Sequence, residues 1–99
     1  MTRRIRLRRQ AEAELAGAVA FYEVKRRGLG LQLIVAVDHG LDAIAESPGA
    51  SHVWKVGHPY RTYLVKRFPY FIVFTLESAL IDVVAIAHTK RNPGYWVGR

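Results

Sequence analysis

The chain has 99 residues, 51 % of them hydrophobic and 23 % charged, with no cysteine and a formal net charge of +7. This length predicts one domain over residues 1–99 built on one modest core, and the composition excludes a disordered chain. Without cysteine there is no disulfide, no cysteine-held zinc and no thiol nucleophile, which fits a cytoplasmic location.

At the N-terminus, RRIRLRR alternates Ile5 and Leu7 with arginines, the period-2 pattern of a half-buried strand at a sheet edge. The arginines followed by an alanine-rich run resemble an export signal, but Glu12, Glu14 and Glu23 interrupt the apolar stretch, so none is expected. No window holds the roughly 20 apolar residues of a membrane span, and no membrane association is expected.

Next, QAEAELAGAVAFYEVKRR places Ala11, Leu15, Ala18 and Tyr22 at helical spacing, with acids early and Lys25, Arg26 and Arg27 late, matching a helix dipole. Gly28 and Gly30 are predicted to stop this helix at its C-cap. Leu33, Val37, Leu41 and Ile44 then mark a second helix over 31–46, ended by Ser47-Pro48-Gly49. The pair reads as a helical hairpin.

YRTYLVKR, PYFIVFTL and ALIDVVAIAH are rich in β-branched and aromatic residues and predict three successive strands, turning at 67–69 and 77–79. SHVWKV, residues 51–56, either leads into the first of these or forms a short strand itself. The expected fold is α+β: an N-terminal strand, an α-helical hairpin and a three-stranded antiparallel meander in one sheet, with both helices on one face and the other face open.

Charge is concentrated at the ends. Residues 1–9 carry five arginines and no acid, 10–51 carry three basic and six acidic residues, and 52–99 carry seven basic and two acidic. If the fold joins the ends, the basic surface suits nucleic acid or an acidic protein segment, although a basic chain is also simply a soluble one.

Alternation along 80–88 sets Leu80, Asp82, Val84, Ile86 and His88 against Ile81, Val83, Ala85 and Ala87. The second set is wholly apolar and is expected to face the helices, which puts His88 on the open face. Arg61 and Arg67 share one side of their strand. With Lys90, Arg91 and Tyr95 they compose a candidate phosphodiester site. Arg61, Arg67 and Lys90 would bind substrate, Tyr95 would stack on a base, and His88 would transfer protons while Arg91 holds charge if the chain cuts RNA. Each also has a structural explanation: His88 as a hydrogen-bonded strand-end histidine, the arginines as a solvated strand face, Tyr95 and Trp96 as the plug of a packed tail. His39, His52 and His58 lack metal-ligand spacing, Gly28 and Gly30 lack the Gly-Lys-Ser/Thr of a phosphate loop, and neither metal nor cofactor is expected.

In order and spacing, AEAELAGAVAFYE, GLGLQLIVAVDHGLDAIAESP, VKRFPYFIVF and IDVVAIAHTKRNPGYW resemble the RelE/ParE superfamily of toxins from bacterial type II toxin–antitoxin modules, also called plasmid stabilisation proteins. The resemblance runs from about Ile5 to Trp96. It implies a growth-inhibiting toxin held by a cognate antitoxin in a hetero-oligomer. It also implies one of two activities, messenger RNA cleavage on the ribosome (RelE-like) or poisoning of DNA gyrase by binding (ParE-like). Against RelE-like ribonucleases, Arg91 matches the working arginine after the last strand, with Lys90 before it, and Tyr95 falls two residues short of the working terminal tyrosine, so the resemblance implies a catalytic part for both if the chain is a ribonuclease. Thr62 and Leu64 stand where two lysines belong, and Phe71 where an arginine belongs. Arg61, Lys66, Arg67 and His88 are the substitutes on offer. The ParE-like activity is therefore expected, with the RelE-like endoribonuclease as the alternative and a non-toxic nucleic-acid-binding module as a third.

Overall fold

The computed structural model describes residues 3–99. The elements are β1 (Arg4–Leu7), α1 (Arg9–Lys25), α2 (Leu29–Glu46), a 3₁₀ turn (Pro48–Ala50), β2 (His52–Val53), β3 (Tyr60–Leu64), β4 (Tyr70–Glu77) and β5 (Leu80–His88). They form one five-stranded sheet in the order β1-β5-β4-β3-β2, with β1 parallel to β5 and the other pairs antiparallel. The expected α+β arrangement is present, with one strand more than the meander. His52 and Val53 pair with Thr62 and Arg61, so the 51–56 segment contributes its own short strand.

The hairpin turns differently from its sequence pattern. α1 ends at Lys25, and Gly28, at φ 89°, is the N-cap of α2 rather than the C-cap of α1. No side chain beyond the turn caps α2. Instead Glu23 reaches forward from α1, and its carboxylate accepts the Gly28 and Gly30 backbone N–H groups at 3.0–3.1 Å. A negative group on these orphan donors also complements the positive end of the α2 dipole.

Both helices pack on one face. Leu33, Val37 and Ile44 of α2 and Ala11 and Ala18 of α1 meet Ile72, Phe74, Ile81, Val83 and Ile86 in the main core. The other face is not open. Val73, Val84, Ala85 and Ala87 form a second cluster there, closed over by Tyr60, Trp54, Tyr95 and Trp96. Gly94, at φ 85°, lets the tail lie against this cluster, because a Cβ at that position would come within 2.8 Å of the Trp54 ring.

A β-bulge accounts for the displaced residues. Phe74 opposes Val83 but Val73 opposes Ala85, leaving Val84 without a partner. An extra residue reverses the alternation beyond it. Ile81 and Val83 face the helices as expected, but Ala85 and Ala87 turn away from them and Ile86 turns toward them. His88 follows Ile86 to the α1 side, where its ring lies 5.2 Å from that of Tyr70.

Candidate functional site

The proposed phosphate-binding residues do not meet. Arg61 lies on the helix side of β3 and donates to the carbonyls of Gly49 and Ser51, at 3.4 and 3.0 Å, holding the 3₁₀ turn. Its β4 partner Phe74 opposes Val83, five residues before His88. That is about 16 Å along the sheet. Arg67, at φ 73°, sits in the β3–β4 turn and lines a groove against α2 that also contains Asp42 and Glu46. Lys90 is exposed, and its backbone N–H donates to His88 Nδ1 at 3.1 Å. Neutral His88 therefore carries its proton on Nε2.

Two of the three residues proposed for catalysis, Arg91 and Tyr95, do come together, around Glu14, a residue the sequence pattern does not single out. Glu14 of α1 accepts from the Tyr95 hydroxyl at 2.6 Å, from Arg91 at 3.2 Å and from Arg99 at 3.0 and 3.2 Å. Its Oε1 also accepts the Ile86 backbone N–H at 3.1 Å, and Arg99 donates to the Val84 carbonyl at 3.0 Å. The cause lies in strand length. β1 ends at Leu7, opposite Val83, so the edge of β5 beyond it has lost its neighbour. Buried backbone groups need partners, and Glu14 and Arg99 supply them. His88 shares the shallow cleft beside α1 with Glu14 and Arg91.

This cluster is internally satisfied. The Arg91 guanidinium stacks on the Tyr95 ring at 3.7 Å and Arg99 lies 5.0 Å from it. Burial, reinforced by the hydrogen bond to Glu14 and its charge, pushes the Tyr95 phenol far above its ordinary range despite the two arginines. A phenol held in this way donates a hydrogen bond and does not accept a proton from a substrate hydroxyl. Arg91 and Arg99 are likewise both paired with one carboxylate, which leaves the cluster one net positive charge.

The chain ends do converge on the β1–β5 edge, but acids are built in there too. Asp82, 0 % exposed, accepts from both Arg6 and Arg8 at 2.7–3.2 Å. Burial opposes its charge, yet hydrogen bonds from the two arginines prevail and hold its carboxyl below the usual range. Four of the arginines that made the ends look uniformly basic are thus paired.

On the tail side of the sheet lies a pocket of about 250 Å³. Thr62, Phe71 and Ala87 form its floor, Trp54 and Trp96 stand 5.3 Å apart edge to face, and His52, Thr89 and Arg91 lie at its mouth, with His88, at the strand end, lining both this pocket and the cleft beside α1. Thr62 and Phe71 are two of the three positions where RelE-like ribonucleases would carry cations. The third, Leu64, is exposed at the end of β3. Where those enzymes would present charge to RNA, this chain presents an aromatic pocket. Among the described residues no group of three metal-ligating side chains occurs, and no helix is long and apolar enough to cross a membrane.

The sequence matches the family profile of the ParE toxin of the type II toxin–antitoxin system parDE over residues 5–93. No curated protein matches it. Among solved structures, one of the chromosomal ParDE TA system from P. aeruginosa is similar, with a TM-score of 0.79, 15 % identity, and coverage of 90 % of this chain and 98 % of that one. At that identity the likeness is one of fold.

Proposed function

Since the chain belongs to the ParE toxin family of type II toxin–antitoxin systems, we propose that it arrests growth in the cytoplasm by binding and poisoning DNA gyrase, and that its cognate antitoxin prevents this by forming a hetero-oligomer with it. The observation that carries this reading is the Glu14 cluster. Arg91 and Tyr95, the residues that would serve RNA cleavage, are engaged by a carboxylate of the same chain. Metal-free cleavage needs a group to take the 2′-hydroxyl proton and cations to hold the charged transition state. Tyr95 is held protonated, Arg91 is countered, and Arg61 and Arg67 point elsewhere. Binding a protein target needs none of these.

A second reading, ribosome-dependent messenger RNA cleavage, is favoured by one observation: Arg91 and Tyr95 both bond the Glu14 carboxylate, and His88, with Nε2 uncommitted, lines the same shallow cleft as Glu14 and Arg91. One experiment separates the two. The toxin is induced in cells, messenger 5′ ends are mapped, and supercoiling by purified gyrase is assayed with the purified protein. Inhibited gyrase and intact messages support the proposal. Cut messages with unimpaired gyrase overturn it.

A further inference from the structure

Target binding by itself leaves the pocket between Trp54 and Trp96 without a role. We infer that this pocket receives one bulky apolar side chain of the protein target, presented by a segment with carboxylates beside it. The inference rests on the reading that the toxin acts by binding a protein.

Size and lining both point to a side chain. At about 250 Å³ the pocket lies below the roughly 300–1,000 Å³ of sites that enclose drug-sized ligands. Its walls are the two tryptophans and its floor includes Phe71 and Ala87, surfaces that reward the burial of apolar area. Interfaces concentrate their affinity in such desolvated pockets, surrounded by a polar rim that excludes water. The rim is present in His52, Thr89 and Arg91.

Charge favours an acidic protein segment over RNA. No aspartate or glutamate lines the pocket among the described residues, and Arg91 at its mouth is preceded in the chain by exposed Lys90, on a chain of net charge +7. Yet the floor lacks the cations that track a phosphodiester, since Thr62 and Phe71 are neutral, while at the mouth Arg91 shares the single Glu14 carboxylate with Arg99 and the group keeps a net positive charge. A few rim cations around an apolar hole complement a hydrophobic anchor flanked by carboxylates.

The test uses two substitutions at exposed rim positions. Thr89→Trp covers the pocket and His52→Glu places an acid at its mouth. Val56→Glu, at a residue 99 % exposed and outside the pocket, is the control. Growth arrest on induction, gyrase inhibition, messenger integrity and thermal unfolding are measured for each. Both rim variants are expected to unfold like wild type and to need about 30-fold more toxin for half-maximal effect, the loss of one hot-spot contact. Val56→Glu is expected to match wild type. Wild-type potency in folded Thr89→Trp overturns the pocket assignment, and wild-type potency in His52→Glu overturns the carboxylate part. If one variant fails to fold, the other decides. Messages cut by wild type and spared by Thr89→Trp would mean that the pocket holds a base, overturning the proposal. Growth arrest that the rim variants lose while gyrase stays active keeps the pocket and removes gyrase as the target. A wild-type chain that arrests nothing overturns both.

Discussion

The Tyr95 hydroxyl donates to Glu14 Oε2 at 2.6 Å, across 81 residues of sequence. This bond ties the C-terminal tail to α1 and places the tail against β5 where β1 no longer covers it. The same carboxylate orders Arg91 and Arg99, so a cluster that looks like an active site in composition is a fastening in geometry.

Replacing Glu14 with glutamine keeps the shape and removes the charge. The variant is expected to lose about 2–3 kcal/mol of stability, because two arginines and a backbone N–H lose an ionised acceptor. For a chain of this length that corresponds to a fall in melting temperature of roughly 10 °C or more. The Tyr95 phenol should also titrate lower than in wild type, since one cause of its upward displacement is gone while burial remains. Phenolate absorbance against pH tests the second effect and thermal unfolding the first.

Which of these features can be read from the chain depends on whether a local rule governs them. Ile5 and Leu7, the Ala11-Leu15-Ala18-Tyr22 stripe and the β-branched runs follow period 2 or 3.6, and the elements appear where those periods put them. The plug formed by Tyr95 and Trp96 also follows from composition, since adjacent aromatics seldom stay in solvent. The bulge at Val84 has no such mark: no glycine signals it within Val-Val-Ala, and every side chain beyond it changes faces. That turns the His88 ring toward Tyr70 on the α1 side, while the residue still lines the tail-side pocket. Glu14 did carry a signal, as it lies three residues after Ala11 and four before Ala18, on the buried stripe of α1. A carboxylate there must find donors, and the arginine-rich tail holds them.

Asp82 makes stability depend on pH. Its carboxyl titrates below the ordinary 3.8 because hydrogen bonds from Arg6 and Arg8 outweigh the opposing effect of burial. The unfolded chain therefore binds the proton more readily than the folded one. The contribution is present above the ordinary value and is lost as pH falls through the lower, folded value. Urea unfolding from about pH 6 to about pH 2 should show stability decline across that interval. Asp82→Asn should be less stable than wild type at neutral pH, by about 1–3 kcal/mol, with a shallower acid dependence. An unchanged slope would exclude this residue as its source.

Two glycines in helices should respond oppositely to alanine. At Gly40 a Cβ would stand 2.8 Å from Ile72 Cδ1 and 3.0 Å from the Tyr63 ring, so α2 approaches β3 and β4 through the missing side chain. Gly40→Ala is expected to cost about 1–3 kcal/mol through overpacking. At exposed Gly17 nothing lies within 4 Å of the added carbon. Gly17→Ala should stabilise by roughly 0.5–1 kcal/mol, because alanine loses less backbone entropy in a helix. Melting temperatures of the two variants decide both signs.

The functional readings diverge most sharply at Tyr95 and His88. Tyr95→Phe deletes the hydroxyl that Glu14 accepts while keeping the ring on which Arg91 stacks, and should cost about 1–2 kcal/mol of stability. His88→Ala removes a half-buried ring packed against Tyr70 and the acceptor of the Lys90 N–H, at a similar cost. Both variants retain the tail-side pocket walls, Trp54 and Trp96. If the toxin works by binding, Tyr95→Phe should arrest growth and inhibit gyrase close to the wild-type level once soluble protein is matched, and His88→Ala, which also alters the lining of the tail-side pocket, should leave messages as intact as wild type does. An endoribonuclease would behave otherwise, because removing a proton-transfer group slows the chemical step by about 10²–10⁴-fold. Loss of arrest in both variants, with messages spared that wild type cuts, would move His88 and Tyr95 from fastening to catalysis.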